Sequence, residues 1–104
     1  MINTYSWSIL LNQMASWQRL QFPRTTVTGA ANHLRKEVEE LTDKPDDAEE
    51  WADVLHLAIQ GGTKASGSLN KFLSVVANKL EKNMKKREWP VLPDAKGIYE
   101  HNRE

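Results

Sequence analysis

Four carboxylates form two pairs near the middle of this sequence. Glu37 and Glu40 are three residues apart, and Glu50 and Asp53 repeat that spacing. On an α-helix, side chains at i and i+3 lie on the same side, so each pair projects two carboxylates in one direction. Four converging acids would repel one another strongly unless a cation lay among them. Hard oxygen ligands of this kind favour Mg²⁺, with Mn²⁺ as a possible substitute.

The same acids also have a purely structural interpretation. E-x-x-E pairs occur on many solvated helix faces, and the acids of residues 46–49 are typical of a helix start, where they stabilise the helix dipole. The stretch 37–53 nevertheless holds nine of the 14 acidic residues in a chain whose formal net charge is zero. From the spacing alone, a metal site and a solvated acidic face both stay open.

A basic segment that reads KLEKNMKKR follows later in the chain and carries five basic residues against one acid. Lys79, Asn83 and Arg87 recur there at helical spacing, with Lys82 and Lys86 as alternatives at the second and third positions. Lysine supplies a point charge, arginine a planar fork and asparagine a hydrogen bond to an oxygen, and all three suit a phosphate. The structural alternative is an ordinary basic helix end, which the helix dipole favours.

Four amphipathic helices would position these groups. Apolar residues recur at helical spacing in four segments, and no segment shows the alternation typical of a strand. The first helix ends at Pro23, the second covers about residues 26–42, the third begins with Asp46 as its N-cap, and the fourth begins after Ser68. The glycine pair at 61–62 either ends the third helix or frays it.

Short connections between the helices predict antiparallel neighbours, and we expect an all-α, four-helix bundle. Residues 1–104 would form a single domain, with an irregular tail over 90–104 where proline and glycine break the helical pattern. The turn between the second and third helices would bring the two carboxylate pairs together. The hydrophobic fraction of 39% is slightly low and allows a core that oligomerisation completes.

Composition argues against several classes of protein. The chain has no cysteine, so disulfides and thiolate metal sites are excluded. We expect no signal peptide and no membrane span, because the start lacks a basic region and no apolar run is long enough. The balanced charge argues against a nucleic-acid partner, for which a basic surface is expected. We therefore expect a cytoplasmic protein.

The order of these motifs resembles that of the MazG-like, all-α nucleoside triphosphate pyrophosphohydrolases. The relevant segments read HLRKEVEEL, EEWADVL and KLEKNMKKREWP. In that family, E-x-x-E and a later E-x-x-D lie on adjacent helices of a bundle. The short gap between the two motifs, the preceding PRTT and the ending REWPVLPDAKGIYEHNR are most similar to the dATP/dGTP diphosphohydrolase subgroup. The resemblance covers the chain from about Pro23 onward.

The resemblance implies a Mg²⁺-dependent hydrolase that cleaves dATP or dGTP to the monophosphate and pyrophosphate. The two carboxylate pairs would bind the metal, and Glu37 and Glu40 would be catalytic, with Glu40 accepting a proton from the attacking water. Glu39 is the alternative to Glu40. The phosphates would be bound by three residues of the basic segment: Lys79, Asn83 and Arg87.

Two aromatic residues, Trp17 and Phe22, are candidates for binding the base, because stacking needs a flat apolar face. Packing in the core is the alternative for Trp17. His33 lies near the first carboxylate pair, where it would either reach a phosphate or be a simple exposed polar residue.

The resemblance also implies assembly, since sites in this family are completed by packing between subunits. A homodimer or homotetramer is expected, with candidate interface residues Trp7, Leu11 and Trp51. The expected location is a bacterial cytosol or that of a phage-infected host. Two other functions stay open: a pyrophosphatase for dUTP, dCTP or damaged nucleotides, and a non-enzymatic helical module that binds partners through its acidic and basic faces.

Overall fold

The computed structural model describes residue 2 and residues 5–102, and all structural statements below concern those residues. They contain four α-helices and no strand: α1 (Trp7–Gln21), α2 (Val27–Asp43), α3 (Ala48–Ser66) and α4 (Leu69–Lys85). The prediction of an all-α fold is confirmed. None of the described helices combines the length and the apolar character that crossing a membrane requires.

Polar side chains cap the starts of α2 and α3. The hydroxyl of Thr26 accepts a hydrogen bond from the backbone N–H of Gly29 at 2.9 Å. At α3 the cap is Asp47, whose Oδ1 accepts from the N–H of Glu49 at 3.0 Å. The prediction of Asp46 as this cap is therefore wrong by one residue. Both positions are aspartate, and the choice between them depends on which one has the extended backbone that a cap requires.

The glycine pair at 61–62 neither ends nor frays α3. The helix continues to Ser66 and ends at Gly67, which has a left-handed φ of 97°. Glycine adopts this conformation at little cost because it has no Cβ, and its N–H can satisfy a carbonyl of the last turn. The N–H of Gly67 donates to the carbonyl of Thr63 at 2.9 Å.

The two glycines inside α3 allow neighbouring groups to approach the helix closely. A Cβ placed on Gly62 would lie 2.2 Å from Cζ of Phe72, so the aromatic ring rests directly on the helix backbone. A Cβ placed on Gly61 would lie 3.2 Å from Cβ of Ala30 in α2. Tertiary packing therefore accounts for two glycines that the sequence pattern suggested as helix breakers.

The chain divides into two compact units, Met1–Phe72 and Leu73–Glu104. In the first unit, α3 packs against both α2 and α1. The buried apolar residues in this unit come from all its helices: Leu11, Ala15, Ala30, Leu41, Leu57, Ile59 and Leu69. Because Leu11 lies in this core, its assignment to a subunit interface is wrong, whereas Trp7 and Trp51 are exposed.

The second unit contains most of α4 and the segment that follows it. Trp89 donates its Nε1–H to the carbonyl of Asn83 at 2.7 Å, and its ring meets His101 edge to face with centroids 5.6 Å apart. A turn closes at Asp94, which accepts hydrogen bonds from two later backbone N–H groups. Residues 90–102 contain no helix or strand. Arg103, the end of the quoted tail motif, lies outside the described residues.

Candidate active site

Three of the four predicted metal ligands converge between α2 and α3. Glu37 and Glu40 from α2 and Glu50 from α3 each offer one carboxylate oxygen, and these oxygens all lie within 4.8 Å of one another. Oxygen ligands lie about 2.0–2.6 Å from a hard divalent cation, so two ligands of one ion are at most about 5 Å apart. The carboxylate trio meets that limit.

Asp53, the fourth predicted ligand, lies about one turn after Glu50 on α3. It lines the same cavity as Glu37, and its negative charge contributes to raising the pKa values of both Glu37 and Glu50. It is not one of the three residues whose oxygens lie within 4.8 Å. The structure therefore places Asp53 beside the carboxylate trio and within its electrostatic reach.

Two members of the trio are shielded from solvent. The side chain of Glu37 is 14% exposed. Burial raises the pKa of Glu37 above its ordinary value, and the neighbouring carboxylate of Glu40 raises it further. Burial also raises the pKa of Glu50, with the charges of Glu40 and Glu37 acting in the same direction. Both shifts show that the folded protein disfavours the ionised carboxylates when nothing compensates their charge.

Glu37 and Glu50 also carry oxygens that lack hydrogen-bond partners. Oε2 of each residue is buried, and no described residue donates a hydrogen bond to it. A buried oxygen without a partner costs stability, so each of these atoms calls for a partner that the described residues do not supply, such as a water molecule or a cation. A divalent cation would supply both the contact and the opposite charge, and an all-carboxylate donor set suits Mg²⁺ or Mn²⁺. The residues present therefore fit a hard divalent cation.

His33 contacts the trio from one turn earlier on α2. Its Nε2 lies 3.3 Å from Oε1 of Glu37, and its side chain is 57% exposed. The two oxygens of Glu37 thus have different environments, since Oε1 faces the imidazole and Oε2 has no partner. The sequence predicts that His33 either reaches a phosphate or is a simple exposed polar residue. The structure adds its contact with Glu37, a candidate metal ligand.

A cavity of about 170 Å³ opens beside Glu37 and Asp53, and both predicted base-binding residues line it. The rings of Trp17 and Phe22 meet edge to face, with centroids 5.4 Å apart and an interplanar angle of 88°. Trp17 is 52% exposed, so the alternative that it packs in the core is wrong. The structure therefore brings an aromatic pair and the acidic residues to one cavity.

Two glutamines that were not among the predicted site residues also line this cavity. Gln18 is only 6% exposed, and its Nε2 donates to the carbonyl of His56 at 2.8 Å. Gln60 donates from Nε2 to the hydroxyl of Thr25 at 2.9 Å. The position of Gln18, seven residues after the buried Leu11, was a usable signal, because i and i+7 share one helix face. No comparable pattern marks Gln60.

The three predicted phosphate ligands lie in the second unit. Lys79 and Asn83 belong to α4, but Arg87 lies beyond its end at Lys85. The expectation that all three share one helix is therefore wrong for Arg87. Its Nη1 donates to Oδ1 of Asn83 at 3.0 Å, so the two side chains still lie together. Their binding of phosphate stays a prediction.

Residues 10–102 match the family model described as dATP/dGTP pyrophosphohydrolase. The chain belongs to this family. Among solved structures, it is similar to a MazG-like pyrophosphohydrolase from cyanophage S-2L, which is bound to dGDP and three catalytic Mn²⁺ ions per active site. The two chains are 27% identical, with a TM-score of 0.70 and 95% of each chain covered. A search of curated proteins finds no significant match.

These comparisons confirm the predicted family, the MazG-like all-α fold and the enzyme class. This pyrophosphohydrolase is a nucleotide diphosphohydrolase of the MazG type. The comparisons therefore favour an enzyme over the alternative of a non-enzymatic interaction module. Membership of a dATP/dGTP family also favours purine triphosphates over the dUTP or dCTP alternative.

Proposed function

We propose that the protein hydrolyses dATP or dGTP, with Mg²⁺ or Mn²⁺, to the nucleoside monophosphate and pyrophosphate. The observation that carries this proposal is the carboxylate trio with its two buried, partnerless oxygens, next to a cavity with an aromatic wall. The family match supports the substrate class, and the metal ions and dGDP bound by the cyanophage relative support the ligands.

The metal would be held by Glu37, Glu40 and Glu50, with Asp53 beside them. A divalent cation bound there would polarise phosphoryl oxygens and lower the pKa of a water molecule. The protein's part is to hold the carboxylates in position, and the contact of His33 with Oε1 of Glu37 restricts one of them. The contact occupies Oε1, while Oε2 of Glu37 has no described hydrogen-bond partner.

Glu40 is the proposed proton acceptor. It is the exposed member of the trio, so water can reach it, whereas Glu37 and Glu50 are partly buried. The oxygen of the attacking water bonds to the α-phosphorus, the bond from that phosphorus to the bridging oxygen breaks, and pyrophosphate leaves. The water proton passes to the Glu40 carboxylate, which must lie within hydrogen-bond reach of the water.

The base would bind against the rings of Trp17 and Phe22. Both are partly exposed, at 52% and 43%, so each has surface available for stacking. Aromatic stacking contributes about 1–3 kcal/mol per base and accepts any flat ring, so it favours the larger purines without choosing between adenine and guanine. Lys79, Asn83 and Arg87 are the residues that we propose offset the charge developing on the leaving pyrophosphate.

We also propose that the enzyme is a homodimer or homotetramer. Large apolar side chains are exposed on the first unit, among them Trp7 at 65% and Trp51 at 56%. Burial of such surface contributes about 25 cal/mol per Å² to association. Sedimentation at micromolar concentration tests this proposal, and a species of only 11.9 kDa would contradict it.

Pyrophosphate release from dATP, dGTP, dCTP, dTTP and dUTP, each with Mg²⁺, tests the proposed function. We expect release mainly from the two purine substrates. Glu37→Gln and Glu40→Gln should each reduce the rate by about 100-fold or more, because metal binding or proton transfer is lost. Glu39→Gln is the matched control, since it removes a neighbouring charge outside the trio and should leave the rate within about twofold.

The outcomes separate the parts of the proposal. Unchanged rates in both Glu37→Gln and Glu40→Gln would contradict the site. A strong loss in Glu39→Gln with none in Glu40→Gln would exchange the roles of these two residues. Preferential release from dUTP or dCTP would contradict the purine preference and leave the hydrolysis itself in place.

A further inference from the structure

A second cavity, of about 340 Å³, lies beside the cavity that Glu37 and Asp53 line. It is formed by the connection between α1 and α2 and by the first turns of α2. Phe22, His33 and Gln60 line both cavities, so the two are neighbours. His33 also contacts Glu37, which places the shared wall next to the carboxylate trio.

The charges of the two cavities are opposite. The cavity beside the trio contains Glu37 and Asp53, whereas none of the described residues that line the second cavity is acidic. Arg24 is its permanently charged lining residue. No described carboxylate lies within the 4.0 Å of the Arg24 guanidinium that an ion pair requires. A guanidinium without an acid partner, in a cavity lined by neutral and basic groups, suits an anion with several oxygens.

The backbone around Arg24 is held in place before any ligand binds. The Thr25 hydroxyl donates to the carbonyl of Phe22 at 2.9 Å and accepts from Gln60 at 2.9 Å. The N–H of Thr25 donates to the same carbonyl at 3.2 Å. Gln60 lies on α3, so these bonds fasten the connection to the helix that also carries Glu50. A fixed backbone lowers the ordering cost of binding.

We propose that the second cavity binds the pyrophosphate end of the nucleotide, the β- and γ-phosphates, with Arg24 as the cation that recognises it. The identity of the ligand rests on the proposed triphosphate hydrolysis. The carboxylates and their cation would hold the phosphates nearest the reacting α-phosphorus. Arg24 would bind the phosphate oxygens further along the triphosphate. Arg24 is therefore a substrate-binding residue in addition to the predicted Lys79, Asn83 and Arg87, and Gln60 is a positioning residue that acts through Thr25.

Calorimetric titration of the full chain with pyrophosphate and, separately, with dGMP, both in the presence of Mn²⁺, tests this proposal. Arg24→Gln should weaken pyrophosphate binding about 10-fold or more, because hydrogen bonds to charged groups are the strong ones. Binding of dGMP should stay within about twofold, since it has no β- or γ-phosphate. Arg35→Gln is the matched control: Arg35 is exposed, lines neither cavity, and its replacement changes the net charge equally.

Two further variants separate the charge from its positioning. Arg24→Lys keeps the charge and loses the planar fork, so pyrophosphate affinity should fall between those of wild type and Arg24→Gln. Thr25→Val removes both hydrogen bonds of the hydroxyl group but does not replace Arg24. Pyrophosphate affinity should therefore fall less than in Arg24→Gln, and dGMP affinity should not change. Thermal unfolding of each variant identifies any loss of folding, which is not expected at the exposed Arg24.

Unchanged pyrophosphate affinity in Arg24→Gln would overturn the proposal, as would an equal loss of pyrophosphate and dGMP affinity or undetectable pyrophosphate binding by wild type. Hydrolysis of dGTP by wild type together with any of these results would leave the proposed function intact. Conversely, pyrophosphate binding that depends on Arg24, with no hydrolysis of any triphosphate, would support this site and contradict the proposed function.

Discussion

Replacement of Gly62 by alanine is expected to destabilise the protein, although alanine favours helix formation. Gly62 lies inside α3, where a Cβ would be 2.2 Å from Cζ and 2.4 Å from Cε1 of Phe72. Carbon atoms in favourable contact are about 3.5–4.0 Å apart. The ring or the helix must therefore move by about 1 Å or more to accept a single methyl group.

Two opposing contributions set the size of the effect. Overpacking of this kind costs about 1–3 kcal/mol, and alanine gains about 1 kcal/mol over glycine in a helix interior. The contact distance is far inside the van der Waals minimum and involves a ring rather than a flexible chain end. We therefore expect a net loss of about 1–2 kcal/mol, which corresponds to a fall in Tm of roughly 4–16 °C for a domain of this size.

Thermal and urea unfolding, followed by circular dichroism at one protein concentration, measure this loss. Gly61→Ala is the matched control, because its Cβ would lie 3.2 Å from that of Ala30 and a shift of a few tenths of an ångström relieves the contact. Its stability should stay within about 0.5 kcal/mol of wild type, since the helix gain offsets the tight contact. If Gly62→Ala unfolds at or above the Tm of wild type, Phe72 does not pack on α3 as described.

Three further predictions concern the site. Mn²⁺ at 100 times its Kd should stabilise wild type by about 2.7 kcal/mol and should stabilise Glu50→Gln far less. The shift in Tm on adding Mn²⁺ measures this, and equal shifts in the two proteins would contradict metal binding by the carboxylate trio. Burial raises the pKa values of Glu37 and Glu50 above their ordinary 4.5, so the folded state holds protons that the unfolded state has lost. The stabilising contribution of these groups is therefore complete below pH 4.5 and is lost as pH rises through the raised values. As pH rises from 4.5 through the raised pKa values, metal-free wild type should lose stability relative to Glu37→Gln. Urea titrations at several pH values measure this difference, and a gain in the stability of wild type relative to the variant would refute the prediction. Gln18→Leu removes the hydrogen bond to the His56 carbonyl and should cost about 1 kcal/mol without changing Mn²⁺ affinity in calorimetry; a large loss of affinity would place Gln18 in the metal site.

The elements of the fold and the acids that share a helix face could be predicted because they depend on neighbours within a few residues. Apolar spacing of three and four marks the helices, and the same geometry groups Glu37 with Glu40 and Glu50 with Asp53. The short connection between α2 and α3 then suffices to bring the pairs together. The family could also be recognised at this level, because its motifs are local spacings in a particular order.

Other features depended on which groups the fold places against one another. Gly62 does not break α3, because Phe72 packs on it, and no local pattern contains that contact. The burial that distinguishes Glu37 and Glu50 from the exposed Glu40 likewise follows from the packing of α2 against α3.

The sequence by itself therefore determined the helices, the paired acids and the family, while the tertiary structure decided the environment of each side chain. Gln18 reaches the carbonyl of His56 across 38 positions, and Gln60 reaches Thr25 across 35. Helical periodicity acts over one or two turns and carries no information about partners so distant in the chain. Burial and hydrogen bonding between distant segments are properties of the packed chain, and they set the solvation, the pKa values and the cavities on which the chemistry depends.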